Sequence, residues 1–178
     1  WDGGASTTSW FDDLNWSTDA LPTAATAIQS GGLGTLANPV VINNASTAQA
    51  ASIAYNADGT VNNAAMHLNI QSNLTVAGAI NPTLYGDVLI NHTTGTVNVD
   101  AITLSDRDND NRWLLSGSAA LNANSVVVTF NGAYMIQEAG TTVTVAGDMS
   151  VQSLATAGAG GKPAIDGNNG LAYDLRGG

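Results

Sequence analysis

The chain has 178 residues, of which only 10% are charged, and its formal net charge is −10. This length suits one domain with a real core, and the excess of acidic groups disfavours nucleic acid and anionic membranes as partners. There is no cysteine, so disulfides and thiolate metal sites are excluded, and no apolar run reaches the ~20 residues that insert across a bilayer. Low charge, abundant Asn, Thr and Gly and absent cysteine together predict a protein that is secreted or held at the cell surface.

The first 22 residues, WDGGASTTSWFDDLNWSTDALP, contain three of the four tryptophans: Trp1, Trp10 and Trp16. Clustered indoles either contact a glycan or a partner protein, or cover an apolar core, where each buries ~150–250 Å². Because the cluster precedes the first repeat, we interpret residues 1–28 as an aromatic cap with the first strand. We expect Trp16 to be buried and Trp1 to be exposed or in a subunit contact. The glycan-contact alternative uses Trp1, Trp10 and Trp16, together with the fourth indole, Trp113.

Residues 29–155 contain five similar stretches, each with a short apolar start, a polar turn and an alternating strand. They begin at residues 40, 67, 88, 113 and 134, so the repeat steps by 21 to 27 residues. This step and the scarcity of helix-surface residues favour an all-β parallel solenoid over the alternative, an antiparallel β-sandwich. Amides in successive coils can hydrogen-bond to one another, and the repeats predict such ladders near Asn43, Asn69, Asn91, Asn122 and Asn124.

The one charge cluster is SDRDNDNRW, residues 105–113. Asp106, Asp108 and Asp110 have the D-x-D-x-D spacing that begins a calcium loop, which predicts a calcium site that stabilises the loop. The glutamate that completes such a loop is missing, and the alternative is a solvated loop between coils. A third hypothesis joins these carboxylates with Arg107 and Arg112 in a polysaccharide lyase site.

Few other polar residues in the sequence are candidates for a functional site. The histidines, His67 and His92, fall at strand or turn positions, where a solvated or ladder role is expected. Residues 156–178 form a Gly-rich tail without a sustained pattern, which predicts a flexible or interface-forming segment. Within the tail, the residues that form a weaker cation candidate are Asp166, Asn168, Asn169 and Asp174.

The opening W-D-G-G…S-W…L-N-W-S…L-P-T…I, residues 1–28, resembles that of secreted bacterial passenger-type proteins with autotransporter-associated β-strand repeats. The later stretches NLTVAGAI and TTVTVAGDMSV look like the strand repeats of that family. The resemblance implies a secreted or surface-attached right-handed β-helix with a structural or adhesive role, and it implies no catalytic residue. The matching residues are Trp1, Gly3, Gly4, Trp10, Asn15, Trp16, Pro22 and Ile28.

Together these features predict a non-catalytic extracellular structural or adhesive module without bound cofactor except calcium. A solenoid has strand edges at both ends, so we expect a homo-oligomer or a filament, sheath or surface layer built through those ends. The alternatives are a carbohydrate-binding module, with a polysaccharide as partner, and an enzyme, a lyase-like β-helix.

Overall fold

A computed structural model describes residues 1–30, 33–55, 66–82, 88–105, 111–130, 133–153 and 173–175. Apart from one 3-10 turn at Asp13–Asn15, the regular elements in these ranges are β-strands, and no helix there is long and apolar enough to cross a membrane. The strands are β1 Ala27–Ser30, β2 Val40–Ile42, β3 Ala48–Ala50, β4 Ser52–Tyr55, β5 Met66–Ile70, β6 Leu74–Pro82, β7 Val88–His92, β8 Thr96–Ser105, β9 Arg112–Leu115, β10 Ala120–Phe130, β11 Tyr134–Gln137, β12 Thr142–Val145, β13 Met149–Ser153 and β14 Tyr173–Leu175.

The strands form two sheets in which every described pair is parallel. The six-stranded sheet has the order β2-β5-β7-β9-β11-β14, and the eight-stranded sheet has the order β1-β4-β6-β8-β10-β12, with β3 beside β6 and β13 beside β10. Successive coils therefore add one strand after another to each sheet. The fold is an all-β solenoid of about four turns, which confirms the solenoid prediction and rejects the antiparallel sandwich.

The long strands of the eight-stranded sheet each cover two sides of the core. In β8, Val97 and Val99 point inward, as do Ile102 and Leu104, but two outward residues separate the pairs. A strand normally alternates with a period of two, so this break marks a corner. The same corner lies in β10, and in the next coil it separates β12 from β13.

The interior is built from columns of apolar side chains, one contributed by each coil. In the six-stranded sheet the column runs Leu68, Ile90, Trp113 and Met135, all fully buried. Burying a side chain of this size stabilises a fold by roughly 1.5–3 kcal/mol, so the column supplies much of the cohesion between coils. Trp113 is therefore a core residue in this structure.

Candidate functional site

The N-terminal segment (residues 1–28) lies at the β2 end of the solenoid. Ser9 forms a parallel bridge with Val41 of β2, and the N–H of Trp10 donates to the Val41 carbonyl at 3.0 Å. The segment thus extends the six-stranded sheet by one short pairing. It also places its aromatic side chains over the end of the core.

Three indoles pack edge to face in this segment. The Trp16 ring lies 4.8 Å from Trp10 and 5.2 Å from Trp1, measured between ring centroids, and its Nε1 donates to the Trp10 carbonyl at 2.9 Å. Asn15, fully buried in the 3-10 turn, fixes the loop by donating from Nδ2 to Thr7 Oγ1 and to the Ser9 carbonyl. The segment is held by both apolar packing and internal hydrogen bonds.

Burial limits what these tryptophans can contact. Trp10 is 1% exposed and Trp16 is 5% exposed, which confirms the expected burial of Trp16. A sugar ring cannot reach the face of either indole in this conformation, so their placement favours the core role. Trp1 is half-buried against the same cluster, and its partner or glycan contact stays a prediction.

Most of the predicted charged site lies outside the described residues. Asp106, Asp108 and Asp110 fall there, as do Arg107 and the side chains of the weaker cation candidate in the tail. In the described ranges no group of three His, Cys, Asp or Glu side chains is placed to hold a metal ion. Of the tail, residues 156–178, the structure describes the backbone of β14, which pairs with β11.

At the other end of the solenoid the inner columns become partly exposed. Val143 of β12 continues the column of the fully buried Leu121, yet it is only half-buried. Met149 of β13 continues the column of the fully buried Val126 and is 42% exposed. We call the surface formed by β12 and β13 the terminal face.

A shallow groove of about 370 Å³ runs across the outer face of the eight-stranded sheet, over β6, β8, β10 and β12. Its first row of side chains occupies one register position in four successive coils, and its second row lies two residues further along the strands. Between the rows the floor is the strand backbone at Val76, Val99 and Ala123, because these side chains are buried on the inner face of the sheet. The first row is Thr75, Asn98, Asn122 and Thr144; the second row contains Asp100 and Asn124 between Ala77 and Ala146.

Hydrogen bonds between coils hold both rows in place. Asn122 Nδ2 donates to Asn98 Oδ1 at 2.9 Å, and Asn124 Nδ2 donates to Asp100 Oδ1 at 2.8 Å. Each bond joins residues 24 apart in the sequence, so the ladders follow the coil repeat. The arrangement presents amide, hydroxyl and carboxylate groups on a rigid surface.

The ladders agree only in part with the sequence prediction. Asn91 Nδ2 donates to Asn69 Oδ1 at 3.1 Å on the six-stranded sheet, as predicted. Asn122 and Asn124 also belong to ladders, but on the other sheet. The prediction for Asn43 is wrong, because Val41 occupies the register position beside Asn69.

Asn98 and Asp100 are the groove residues that the sequence prediction missed. A signal for Asn98 exists, because a polar residue follows the inward apolar residue in each of the four coils at residues 74, 97, 121 and 143. The register between neighbouring strands places these polar residues side by side, and this alignment forms the groove. A one-residue shift would place the same side chains on the opposite face of the strand.

The two histidines are buried, which contradicts the solvated role among the two roles expected of them, solvated or ladder. His92 points into the core beside Trp113, with ring centroids 6.5 Å apart, and its Nε2 lies 3.1 Å from the Gly95 carbonyl. A carbonyl only accepts, so Nε2 carries the proton. Burial lowers the pKa of His92 below its ordinary value of 6.5, and hydrogen bonds to the backbone of Gly95 and Thr94 oppose this shift.

No protein-family model, curated protein or solved structure matches this chain. The resemblance of residues 1–28 to the openings of passenger-type proteins stays a prediction. Function is therefore inferred from the fold, its two ends and the groove.

Proposed function

We propose that this chain is a non-catalytic extracellular structural or adhesive module that self-assembles end to end. The observation that carries the proposal is the partial exposure of the inner columns at the terminal face. In the preceding coils the inward apolar side chains are covered by the coil that follows. Val143, Val145 and Met149 instead keep exposed surface. Apolar surface of this kind is stabilised when another chain covers it.

Unpaired strand edges indicate which surfaces of two copies would meet. In the described part of the chain, β12 and β13 have no strand on their outer side, and neither does β1 at the opposite end of the same sheet. Unpaired edges are templates for further pairing. Stacking the terminal face of one copy on the β1 end of the next continues the eight-stranded sheet, and such a heterologous contact grows into a filament.

Charge sets the conditions for assembly. The N-terminal segment carries Asp2, Asp13 and Asp19 on its surface, and Asp148 is exposed near the terminal face. The two ends therefore repel each other at low ionic strength, and salt screens this repulsion. We expect assembly to increase with ionic strength.

The test compares wild-type protein with two variants that each add one negative charge. Met149→Glu places the carboxylate on the terminal face, and Gln71→Glu places it on an exposed turn of a central coil. We expect filaments or oligomers of the wild type in electron micrographs and sedimentation profiles at high ionic strength. Met149→Glu should raise the protein concentration needed for assembly about tenfold, equivalent to ~1.4 kcal/mol, and Gln71→Glu should resemble the wild type.

A wild type that stays monomeric at all salt and protein concentrations would refute the proposal. Equal effects of the two glutamate variants would also contradict it, because net charge rather than the terminal face would then control association. Secretion or surface attachment is part of the proposal and is supported by the low charge and the absence of cysteine. For the lyase alternative, the described residues contain only Arg112 of its arginine pair, so no observation favours it.

A further inference from the structure

We propose that the groove on the eight-stranded sheet is a binding site for a neutral saccharide chain that lies along the solenoid axis. This site is separate from the terminal face and does not use the tryptophans of the N-terminal segment. Its lining comes from four successive coils. Adjacent strands are ~4.8 Å apart, so the polar rows extend over about 14 Å, which is the scale of a short oligosaccharide.

The groove offers a contact for each of the two kinds of surface on a sugar ring, the apolar C–H face and the polar hydroxyl groups. Ala77 and Ala146 are exposed in its lining and offer aliphatic contact to the C–H face of a ring. Its rows offer amide and hydroxyl groups to the ring hydroxyls. Binding sites for small polar ligands commonly combine an apolar lining with a few fixed polar groups.

The ladder bonds leave hydrogen-bonding capacity for a ligand. An asparagine amide has two N–H donors and a carbonyl acceptor, and the bond from Asn122 to Asn98 uses one donor of the first and an acceptor site of the second. Asp100 accepts from Asn124 through Oδ1 and has a second oxygen. A carboxylate beside amides can therefore accept from one hydroxyl while a neighbouring amide donates to the next.

The same ladders reduce the entropic cost of binding. A side chain that is already fixed loses little freedom when a ligand arrives, and this preorganisation favours affinity. The central residues of both rows also stand on strands that pair on both sides, β8 and β10. The site is thus rigid before the ligand binds.

Charge selects the class of saccharide. Among the described residues that line the groove, Asp100 is the one charged group, and the chain has a net charge of −10. None of these described lining residues is a cation that could pair with a uronate, sulfate or phosphate group. Anionic saccharides are therefore disfavoured and neutral ones are accepted.

The experiment measures binding of soluble neutral hexasaccharides of glucose, mannose, galactose and N-acetylglucosamine, with hexagalacturonate as the anionic comparison. The test variant is Asn122→Ala, which removes a central amide of the groove. The matched control is Asn91→Ala, which breaks a ladder of the same kind on the six-stranded sheet. We expect at least one neutral hexasaccharide to bind, with affinity reduced about tenfold by Asn122→Ala and changed less than about twofold by Asn91→Ala.

A second variant keeps the test independent of ladder stability. Ala77→Trp fills the groove from its exposed rim without removing either ladder, and it should abolish binding in a protein that retains its β-structure. The proposal is overturned if none of the neutral sugars binds, if hexagalacturonate binds best, or if Asn122→Ala and Asn91→Ala lose equal affinity. Self-association that Ala77→Trp abolishes would assign the groove to a second copy of the chain and would also overturn it. Filament formation is measured separately, so its failure leaves this result intact.

Discussion

At the scale of single residues, Trp10 links the N-terminal segment to the first complete coil. Its backbone N–H pairs with Val41, its carbonyl accepts from Trp16, and its ring is buried against the core. The residue therefore contributes through the sheet, a side-chain hydrogen bond and apolar burial at once. Its surroundings explain why aromatic residues concentrate in the first sixteen positions.

Replacing Trp10 by alanine should destabilise the fold strongly. Loss of a buried Trp side chain with its cavity costs ~3–5 kcal/mol, and urea denaturation should report this as a lower midpoint. Leu14→Ala, in the adjacent 3-10 turn and 54% exposed, is the control and should change stability by less than ~0.5 kcal/mol. A loss below ~1 kcal/mol for Trp10→Ala would show that the segment does not cover the core.

His92 should make stability depend on pH in a defined direction. The pKa of His92 in the fold lies below the ordinary value of 6.5, so between these two pH values the unfolded chain binds a proton that the folded chain does not. The free energy of unfolding should therefore fall as pH decreases from about 6.5 towards the folded pKa, by up to ~1.4 kcal/mol per pH unit. Above 6.5 this residue contributes no pH dependence.

The measurement is urea denaturation of the wild type and His92→Gln between pH 7.5 and 5. The difference between the two unfolding curves isolates His92 from the carboxylates and from His67. Wild-type protein should lose more stability than the variant across this interval. Parallel curves would mean that the imidazole is protonated equally in the folded and unfolded chain.

At the scale of elements, the turn that enters β10 depends on close contact between coils. Gly117 has a φ of +62°, and a Cβ there would lie 2.5 Å from the Thr93 carbonyl oxygen in the preceding coil. Left-handed backbone costs an L-residue roughly 1–2 kcal/mol, and the contact adds a clash with rigid backbone. Glycine thus allows successive turns to stack at strand spacing.

Gly117→Ala should accordingly lower the free energy of unfolding by at least ~1–2 kcal/mol. Ser118→Ala changes the exposed neighbour, whose Oγ donates to Thr94 Oγ1 at 3.2 Å, and should cost less than ~0.5 kcal/mol. Thermal unfolding followed by circular dichroism can compare the two variants. Similar melting temperatures for both would show that this turn relaxes without strain.

At the scale of the whole molecule, the two ends of the solenoid differ. Indoles cover the core at one end, while apolar columns stay partly exposed at the terminal face. The proposed filament would join these two unlike ends. Because the groove crosses successive coils, stacking would also align the grooves of neighbouring copies, and linked sites of this kind can raise the overall affinity for a long polymer.

The sequence by itself determined the fold class and the main direction of side chains. Alternation identifies which residues of a strand share a face, and the repeat of the apolar starts predicts stacked coils, because both signals are local. The early cluster of large apolar rings likewise predicted the burial of Trp16. None of these inferences requires knowing which residues contact each other in the folded chain.

Tertiary structure alone decided which residues meet between coils. Asn69 stacks on Asn91 while Asn43 misses the ladder, because the turns set the register between β2 and β5. A register shift between Val76 and Ala79 likewise fixes how β6 lies against β8 at the groove. Burial of His92 beside Trp113 also depends on which coils are neighbours. Turn lengths and bulges add up along the chain, so the groove and the polarity of the two ends emerge only when the coils are stacked.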